Sequence, residues 1–218
     1  MSRSHTFNKK TQDKFLKKPK KRKVNFRKHR EYFLILCEGE KTEPNYFKSF
    51  QKLLPKDMVE VDIDGLGQNT LSIVKEAKKR KEERNNSHNP AYDKIWVVFD
   101  RDSFQADNFD NAIYSAEANG FYCAWSNEAF ELWYILHFEY HNTGMSRTEY
   151  QRKLDSLLGR RYNKNDENMY DDLIGHQHNA IRNAEKLAII NQEIRSKARA
   201  NPGTNVHTLV MELNSYIT

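Results

Sequence analysis

The sequence predicts an α/β protein in which a parallel sheet of about four strands carries flanking helices and is followed by a helical C-terminal region. Three observations lead to this expectation. Short continuous apolar runs, typical of strands buried on both faces, alternate with longer segments of helical periodicity. Each run is separated from the next by enough residues for a helical crossover, which parallel strands require. The last third of the chain reads as helices.

The individual elements can be assigned along the chain. The predicted strands cover residues 32–37, 58–63, 95–99 and 121–125. The predicted helices cover residues 44–54, 69–84, 104–119, 130–138, 146–158, 179–199 and 204–216. Thr42 is a candidate N-cap of the first helix, because its hydroxyl can accept a bond from a helical amide. We divide the chain into a basic tail (1–30), an α/β core (31–140) and a helical C-terminal extension packed on the core (141–218).

The charge is distributed unevenly. The first 30 residues contain 13 Lys and Arg and one acidic residue, a net charge of +12, whereas the remaining 188 residues carry a net charge of −6. The densest part of the tail is Lys17–Lys23, with the sequence KKPKKRK. Its few apolar residues predict a disordered arm. Contact with nucleic-acid phosphates or an acidic partner, and simple solvation, are both open readings of this charge.

Composition excludes several classes of protein. No segment approaches the roughly 20 apolar residues that span a bilayer, and the N-terminus lacks the apolar core of a signal peptide. We therefore expect a cytoplasmic protein without membrane contact. The two cysteines, Cys37 and Cys123, lie in predicted buried strands and are expected to behave as small apolar residues.

Acidic and polar side chains follow the predicted strands at the points where the strands end. Glu38 comes directly after the first strand, and Gly39 behind it lets the backbone turn sharply. Asp100 and Asp102 follow the third strand, and Asn127 follows the fourth. The carboxyl ends of parallel strands meet at one edge of a sheet, where open α/β proteins bind ligands. We therefore expect these side chains to lie near one another.

Clustered carboxylates indicate a divalent cation. Neighbouring carboxylates raise each other's pKa unless a cation neutralises them, and oxygen ligands of this type suit Mg²⁺ or Mn²⁺. We predict that Glu38, Asp100 and Asp102 are both catalytic residues and metal ligands. For the Asp-Arg-Asp motif taken alone there is an alternative, in which one aspartate caps the next helix and the other is solvated.

Further residues at this edge complete the predicted site. Lys41 and Arg101 are candidate phosphate-binding residues, because Lys41 lies at the start of a helix whose amides can face an anion and Arg101 lies between the two aspartates. Additional acidic or polar candidates are Glu40, Glu43, Asn127 and Glu131. Glu131 begins a strongly apolar helix, where it either faces inward with a partner or lies on the solvent side.

Several segments, taken together, resemble one protein family. The segments are Ile35–Phe47 (ILCEGEKTEPNYF), Trp96–Asp102 (WVVFDRD), Ser126–Phe138 (SNEAFELWYILHF), Ala180–Ala184 and Pro202–Leu213. They are similar to the RloB-like proteins, a Toprim-related family associated with bacterial phage resistance of the abortive-infection kind and commonly encoded near an ATPase. The resemblance covers about residues 31–215.

The resemblance implies a Toprim-like (Rossmann-like) fold and a set of roles. In Toprim domains the glutamate after the first strand acts in acid/base work or metal binding, and two later aspartates hold Mg²⁺; Glu38, Asp100 and Asp102 match these positions. The expected function is a Mg²⁺- or Mn²⁺-dependent nuclease that acts on DNA or RNA, tRNA included, in anti-phage defence under the control of a partner ATPase. One alternative is a non-catalytic nucleic-acid- or protein-binding adaptor that uses the basic tail. A third is a Toprim-type phosphotransferase acting on nucleotides. A homo-oligomer is compatible with each.

Overall fold

A single sheet organises the part of the chain that the computed structural model describes, which is residues 30–67, 70–101 and 106–217. Its strands are β1 (Glu31–Cys37), β2 (Val59–Gly65), β3 (Lys94–Asp100), β4 (Tyr122–Asn127) and β5 (Gly203–Thr204). The order across the sheet is β2-β1-β3-β4-β5. The first four strands are parallel, and β5 pairs antiparallel with β4. The predicted parallel sheet is thus confirmed, with one short antiparallel strand added.

The α-helices of the described ranges are α1 (Thr42–Gln51), α2 (Thr70–Asn85), α3 (Ala106–Ala118), α4 (Glu131–Phe138), α5 (Arg147–Leu158), α6 (Met169–Leu173), α7 (Gln177–Ile190) and α8 (Val206–Asn214). Short 3₁₀ turns cover Ile174–His176 and Lys197–Arg199. The predicted cap of α1 was wrong: the N-cap is Lys41, and the Thr42 hydroxyl donates to the carbonyl of Lys164 at 3.3 Å instead.

The predicted helix over residues 179–199 was also wrong in its second half, because α7 ends at Ile190. Tertiary hydrogen bonds hold the following residues in another conformation. The amide of Ala198 donates to Asp110 Oδ1 at 3.0 Å, and the side chain of Asn191 donates to the carbonyl of Pro202 at 2.9 Å. The short helix α6 was not predicted.

Both faces of the sheet are buried, which explains the continuous apolar runs. In β1, Phe33, Ile35 and Cys37 pack into one apolar cluster with α1 and the helices from α4 onward. Leu34 and Leu36 point the other way, into a second cluster with α2 and α3. The cysteines are buried with free thiols, as predicted. No helix in the described ranges is long and apolar enough to cross a membrane.

The C-terminal residues cover the edge of β4. Asn205, just before α8, accepts from the amide of Trp125 at 2.6 Å and donates to the carbonyl of Cys123 at 2.9 Å. Its side chain therefore completes the hydrogen bonds of β4 where β5 stops. The hydrogen-bonding groups of this edge of β4 are therefore paired by β5 and Asn205.

Candidate active site

The loops after β1, β3 and β4 lie on one edge of the sheet, as the sequence predicts. In the parallel register Cys37 pairs with both Gly65 and Val98, and Asp100 pairs with Ser126. The carboxyl ends of these strands therefore lie at similar positions along the strand direction. Glu38 begins the loop after β1 and Arg101 the loop after β3, so both emerge from the same side of the sheet.

Backbone hydrogen bonds extend the sheet past the strand ends and fix these loops. The amide of Glu38 donates to the carbonyl of Val98 at 2.8 Å, and the amide of Arg101 donates to the carbonyl of Ser126 at 2.9 Å. The side chain of Glu38 then bridges the two loops, because its Oε2 accepts from the amide of Asp100 at 3.2 Å. Glu38 and Asp100, two of the predicted site residues, are thus in direct contact.

Asp100 and two neighbouring carboxylates are buried at this contact. Glu43, Asp100 and Glu131 are 5%, 7% and 3% exposed. Burial, followed by the charges of Glu43 and Glu131, raises the pKa of Asp100 well above its ordinary value. Burial also raises the pKa of Glu43 to about 7, with the nearby charges of Glu131 and Glu38 adding to the effect. Ionised carboxylates are rarely buried without a partner, so this cluster has electrostatic properties typical of a functional site.

Glu131 faces inward, which settles the alternative left open by the sequence. Its Oε1 accepts a hydrogen bond from the Tyr162 hydroxyl at 3.3 Å and another from the side-chain amide of Gln151 at 3.4 Å. Both partners come from the chain beyond residue 140. The C-terminal region therefore supplies part of the site, through α5 and the segment that follows it.

Arg147 is the cation of the cluster, and the sequence did not indicate it. Its Nη2 lies 3.5 Å from Asp100 Oδ2, and its charge opposes the rise in the pKa of both Asp100 and Glu43. The other oxygen of Asp100, Oδ1, is buried without a hydrogen-bond partner among the described residues. The available signal in the sequence was the location of an arginine in the first turn of a helix, where positive charge is unfavourable.

Glycines leave room for these side chains. A Cβ built on Gly39 would overlap the carboxylate of Glu43, so the glycine lets that side chain lie against the loop after β1. A Cβ on Gly67 would overlap the carboxylate of Glu40, and Gly67 has a positive φ of 59°. In the loops after β1 and β2, the backbone of each glycine is therefore in close contact with a glutamate side chain.

The remaining predicted residues lie in different environments. Glu40 and Lys41 are exposed. Arg101 is half-buried, and its Nε is shielded without a hydrogen-bond partner among the described residues. The Asn127 side-chain amide is engaged structurally, since it donates to the carbonyls of Lys197, Ala198 and Ala200 at 3.1, 2.9 and 3.0 Å. Asp102 lies outside the described residues.

The chemistry of the donors fits a divalent cation. Buried carboxylates with raised pKa values, one of them with an oxygen that has no hydrogen-bond partner in the described ranges, are the hard oxygen donors that Mg²⁺ and Mn²⁺ take. Within the described ranges, however, no three His, Cys, Asp or Glu side chains are grouped to hold a metal ion. Of the three predicted ligands, Glu38 and Asp100 are in contact. The third, Asp102, is not among the described residues.

Fold and site together define an α/β protein with a Rossmann-like sheet and a carboxylate cluster at the carboxyl ends of its strands. A family model described as RloB-like protein matches residues 33–213. The chain belongs to the RloB-like family. Comparison with curated proteins gave no match. Comparison with solved structures gave none either.

Proposed function

We propose that this protein is a Mg²⁺- or Mn²⁺-dependent nuclease that hydrolyses phosphodiester bonds in DNA or RNA. The observation that carries the proposal is the cluster of buried carboxylates at the carboxyl edge of the sheet, where Glu38 accepts from the amide of Asp100. A structural role does not require three buried acids in one place, because burying an ionised carboxylate generally opposes folding. A divalent cation would neutralise them and explain their proximity.

The proposal assigns a role to each side chain of the predicted site. Glu38, Asp100 and Asp102 would hold the metal, with Glu38 also able to accept a proton from the attacking water. The metal would polarise the phosphate and favour ionisation of water. Glu38 is kept in position by its bond to the Asp100 amide, and Asp100 is itself buried. Lys41, exposed at the start of α1, and Arg101 would contact substrate phosphates.

The biological setting is proposed from the family resemblance. A Toprim-related protein of this kind would act in anti-phage defence of the abortive-infection type, with a partner ATPase that controls the nuclease. The basic tail and the net charge of +12 over its 30 residues support nucleic acid as the substrate, with tRNA among the candidates.

The test is cleavage of plasmid DNA and of labelled total RNA with Mg²⁺ or Mn²⁺ added, comparing the wild type with Asp100→Asn. We expect cleavage by the wild type and a loss of at least about a hundredfold in the variant. Asp64→Asn is a matched control, because Asp64 also lies near the carboxyl end of a strand but is half exposed and pairs with Arg80 at 2.8 Å. Equal cleavage by wild type and Asp100→Asn would contradict the proposal. The assay is repeated with a genetically linked ATPase if the protein alone is silent.

One observation favours a second candidate, a non-catalytic adaptor for nucleic acid. A cavity at the opposite, amino end of β1 and β2 is lined by three basic side chains, Arg30, Lys52 and Lys56. Arg30 is also the last residue of the basic tail, so the tail joins the body beside this cavity. Tail and cavity could form one surface that binds phosphates away from the carboxylate cluster.

Salt dependence separates the two candidates. In the full chain, the basic residues of Lys17–Lys23 are replaced by Gln, and binding to labelled RNA and DNA is measured over a range of salt concentrations. An adaptor loses most of its affinity and the slope of log K against log salt becomes shallower, whereas Asp100→Asn binds like the wild type. A nuclease whose substrate binds at the carboxyl edge keeps cleaving after the tail is neutralised, with a raised KM.

A further inference from the structure

Arg147 occupies a helix position at which a positive charge is unfavourable. It is the first residue of α5, directly after the N-cap Ser146, whose side chain forms a capping box with Glu149. The first turn of a helix carries a partial positive charge, so anionic side chains are stabilising there and cationic ones are not. An arginine at this position needs compensation from outside its own helix.

The carboxylate cluster supplies that compensation. Arg147 Nη2 lies 3.5 Å from Asp100 Oδ2, and the side chain of Arg147 is 31% exposed against 10% for that of Asp100. The guanidinium therefore approaches the buried carboxylate from the solvent side. Part of the Arg147 side chain therefore contacts water, although its Nε is buried.

We infer that Arg147 is the resident counter-ion of this site: its guanidinium offsets part of the negative charge while no metal is bound and is displaced from Asp100 by a divalent cation. The inference rests on the proposed function, because it concerns the same carboxylates. Arg147 and the cation compete for one negatively charged site, so the arginine lowers the affinity for metal. Arg147 is a positioning residue in this scheme, since it acts through Asp100.

Two other roles for Arg147 make different predictions. If the arginine only stabilised the fold, its neutralisation would lower stability with and without metal and leave metal affinity unchanged. If it only bound substrate phosphate, its neutralisation would raise KM and again leave metal affinity unchanged. Metal affinity in the absence of substrate is therefore the quantity that distinguishes a counter-ion.

The experiment measures Mn²⁺ binding to the full-length protein from the electron paramagnetic resonance signal of free Mn²⁺, without nucleic acid. Arg147→Gln removes the charge, and Arg147→Met removes it while keeping an unbranched side chain that can pack in the same place. Arg147→Lys retains a cation. Arg152→Gln, on the same helix and exposed, is the matched control for the change in net charge.

We expect Arg147→Gln and Arg147→Met to bind Mn²⁺ about tenfold more tightly than the wild type, a factor equivalent to about 1.4 kcal/mol. Arg147→Lys and Arg152→Gln should stay within about twofold of the wild type. Unchanged or weaker binding in the two neutral variants, with clear binding by the wild type, overturns the counter-ion role and leaves the proposed function intact. Absence of Mn²⁺ binding in every variant overturns both. Arg147→Met decides the question if Arg147→Gln does not fold.

Discussion

Replacing Glu43 by Gln should make the metal-free protein more stable above neutral pH. Burial raises the pKa of Glu43 to about 7 from an ordinary value of 4.5. The folded protein therefore holds this proton more tightly than the unfolded chain does. The stabilising effect of the bound proton is fully present below the unfolded value of 4.5 and is lost as the pH rises toward and through 7. Glutamine does not ionise and avoids this loss.

The size of the effect follows from the two pKa values. A tenfold difference in proton affinity corresponds to about 1.4 kcal/mol, so ionised Glu43 lowers the free energy of unfolding by at most about 3 kcal/mol at pH 8. At about pH 5 most of the folded protein is still protonated at Glu43, and the loss is less than about 1 kcal/mol. Glu43→Gln should therefore exceed the wild type by about 2–3 kcal/mol more at pH 8 than at pH 5.

Urea unfolding in EDTA at these two pH values measures the difference, because EDTA removes the divalent cations that would stabilise the carboxylate. Groups that titrate equally in both proteins cancel when the variant is compared with the wild type at each pH. Glu82→Gln, an exposed position on α2, is the control and should follow the wild type at both values. Equal stability of Glu43→Gln and the wild type at pH 8 would refute the reasoning, as would an advantage that does not change with pH.

Three further substitutions test the supports of the site by urea unfolding. Gly39→Ala places a methyl group where the Glu43 carboxylate lies and should cost about 1–3 kcal/mol at pH 5; an unchanged midpoint would mean that this side chain moves freely. Asn127→Ala removes three hydrogen bonds to residues 197–200 and should lower the free energy of unfolding by about 2–3 kcal/mol. A loss below about 1 kcal/mol would show that residues 197–200 keep their conformation without these bonds. Ser146→Ala removes the capping box with Glu149 and should cost about 1 kcal/mol, less if water replaces the hydroxyl.

The sheet and the relative positions of Glu38 and Asp100 could be predicted because they depend on short-range patterns. An apolar run marks a strand buried on both faces, and the polar residues that end each run must share an edge once the strands are parallel. The direction of Glu131 could not be predicted. Every residue of α4 from Glu131 to His137 is buried, so the helix has no polar face to orient its first residue.

The contribution of the C-terminal region to the site could not be predicted from the sequence, for a related reason. Gln151 reaches Glu131 through the packing of α4 and α5, and Tyr162 reaches it from the segment after α5; periodicity specifies neither contact. Periodicity also extended α7 too far, because the three hydrogen bonds of Asn127 that hold residues 197–200 come from another part of the chain. Local signals indicate which elements form, but the partners of buried polar groups depend on tertiary contacts.

The charge balance of the site connects the raised pKa values of its carboxylates to its proposed chemistry. Glu38, Glu43, Asp100 and Glu131 bring four carboxylates together, and Arg147 supplies one positive charge against them. With a pKa of about 7, Glu43 is only partly protonated near neutral pH, and the pKa of Asp100 is also raised well above its ordinary value. A divalent cation would add two positive charges at once and could bind the buried oxygen of Asp100 that has no hydrogen-bond partner among the described residues. The arrangement that raises these pKa values would therefore also favour a bound metal ion, since both effects come from carboxylates held close together in a buried place.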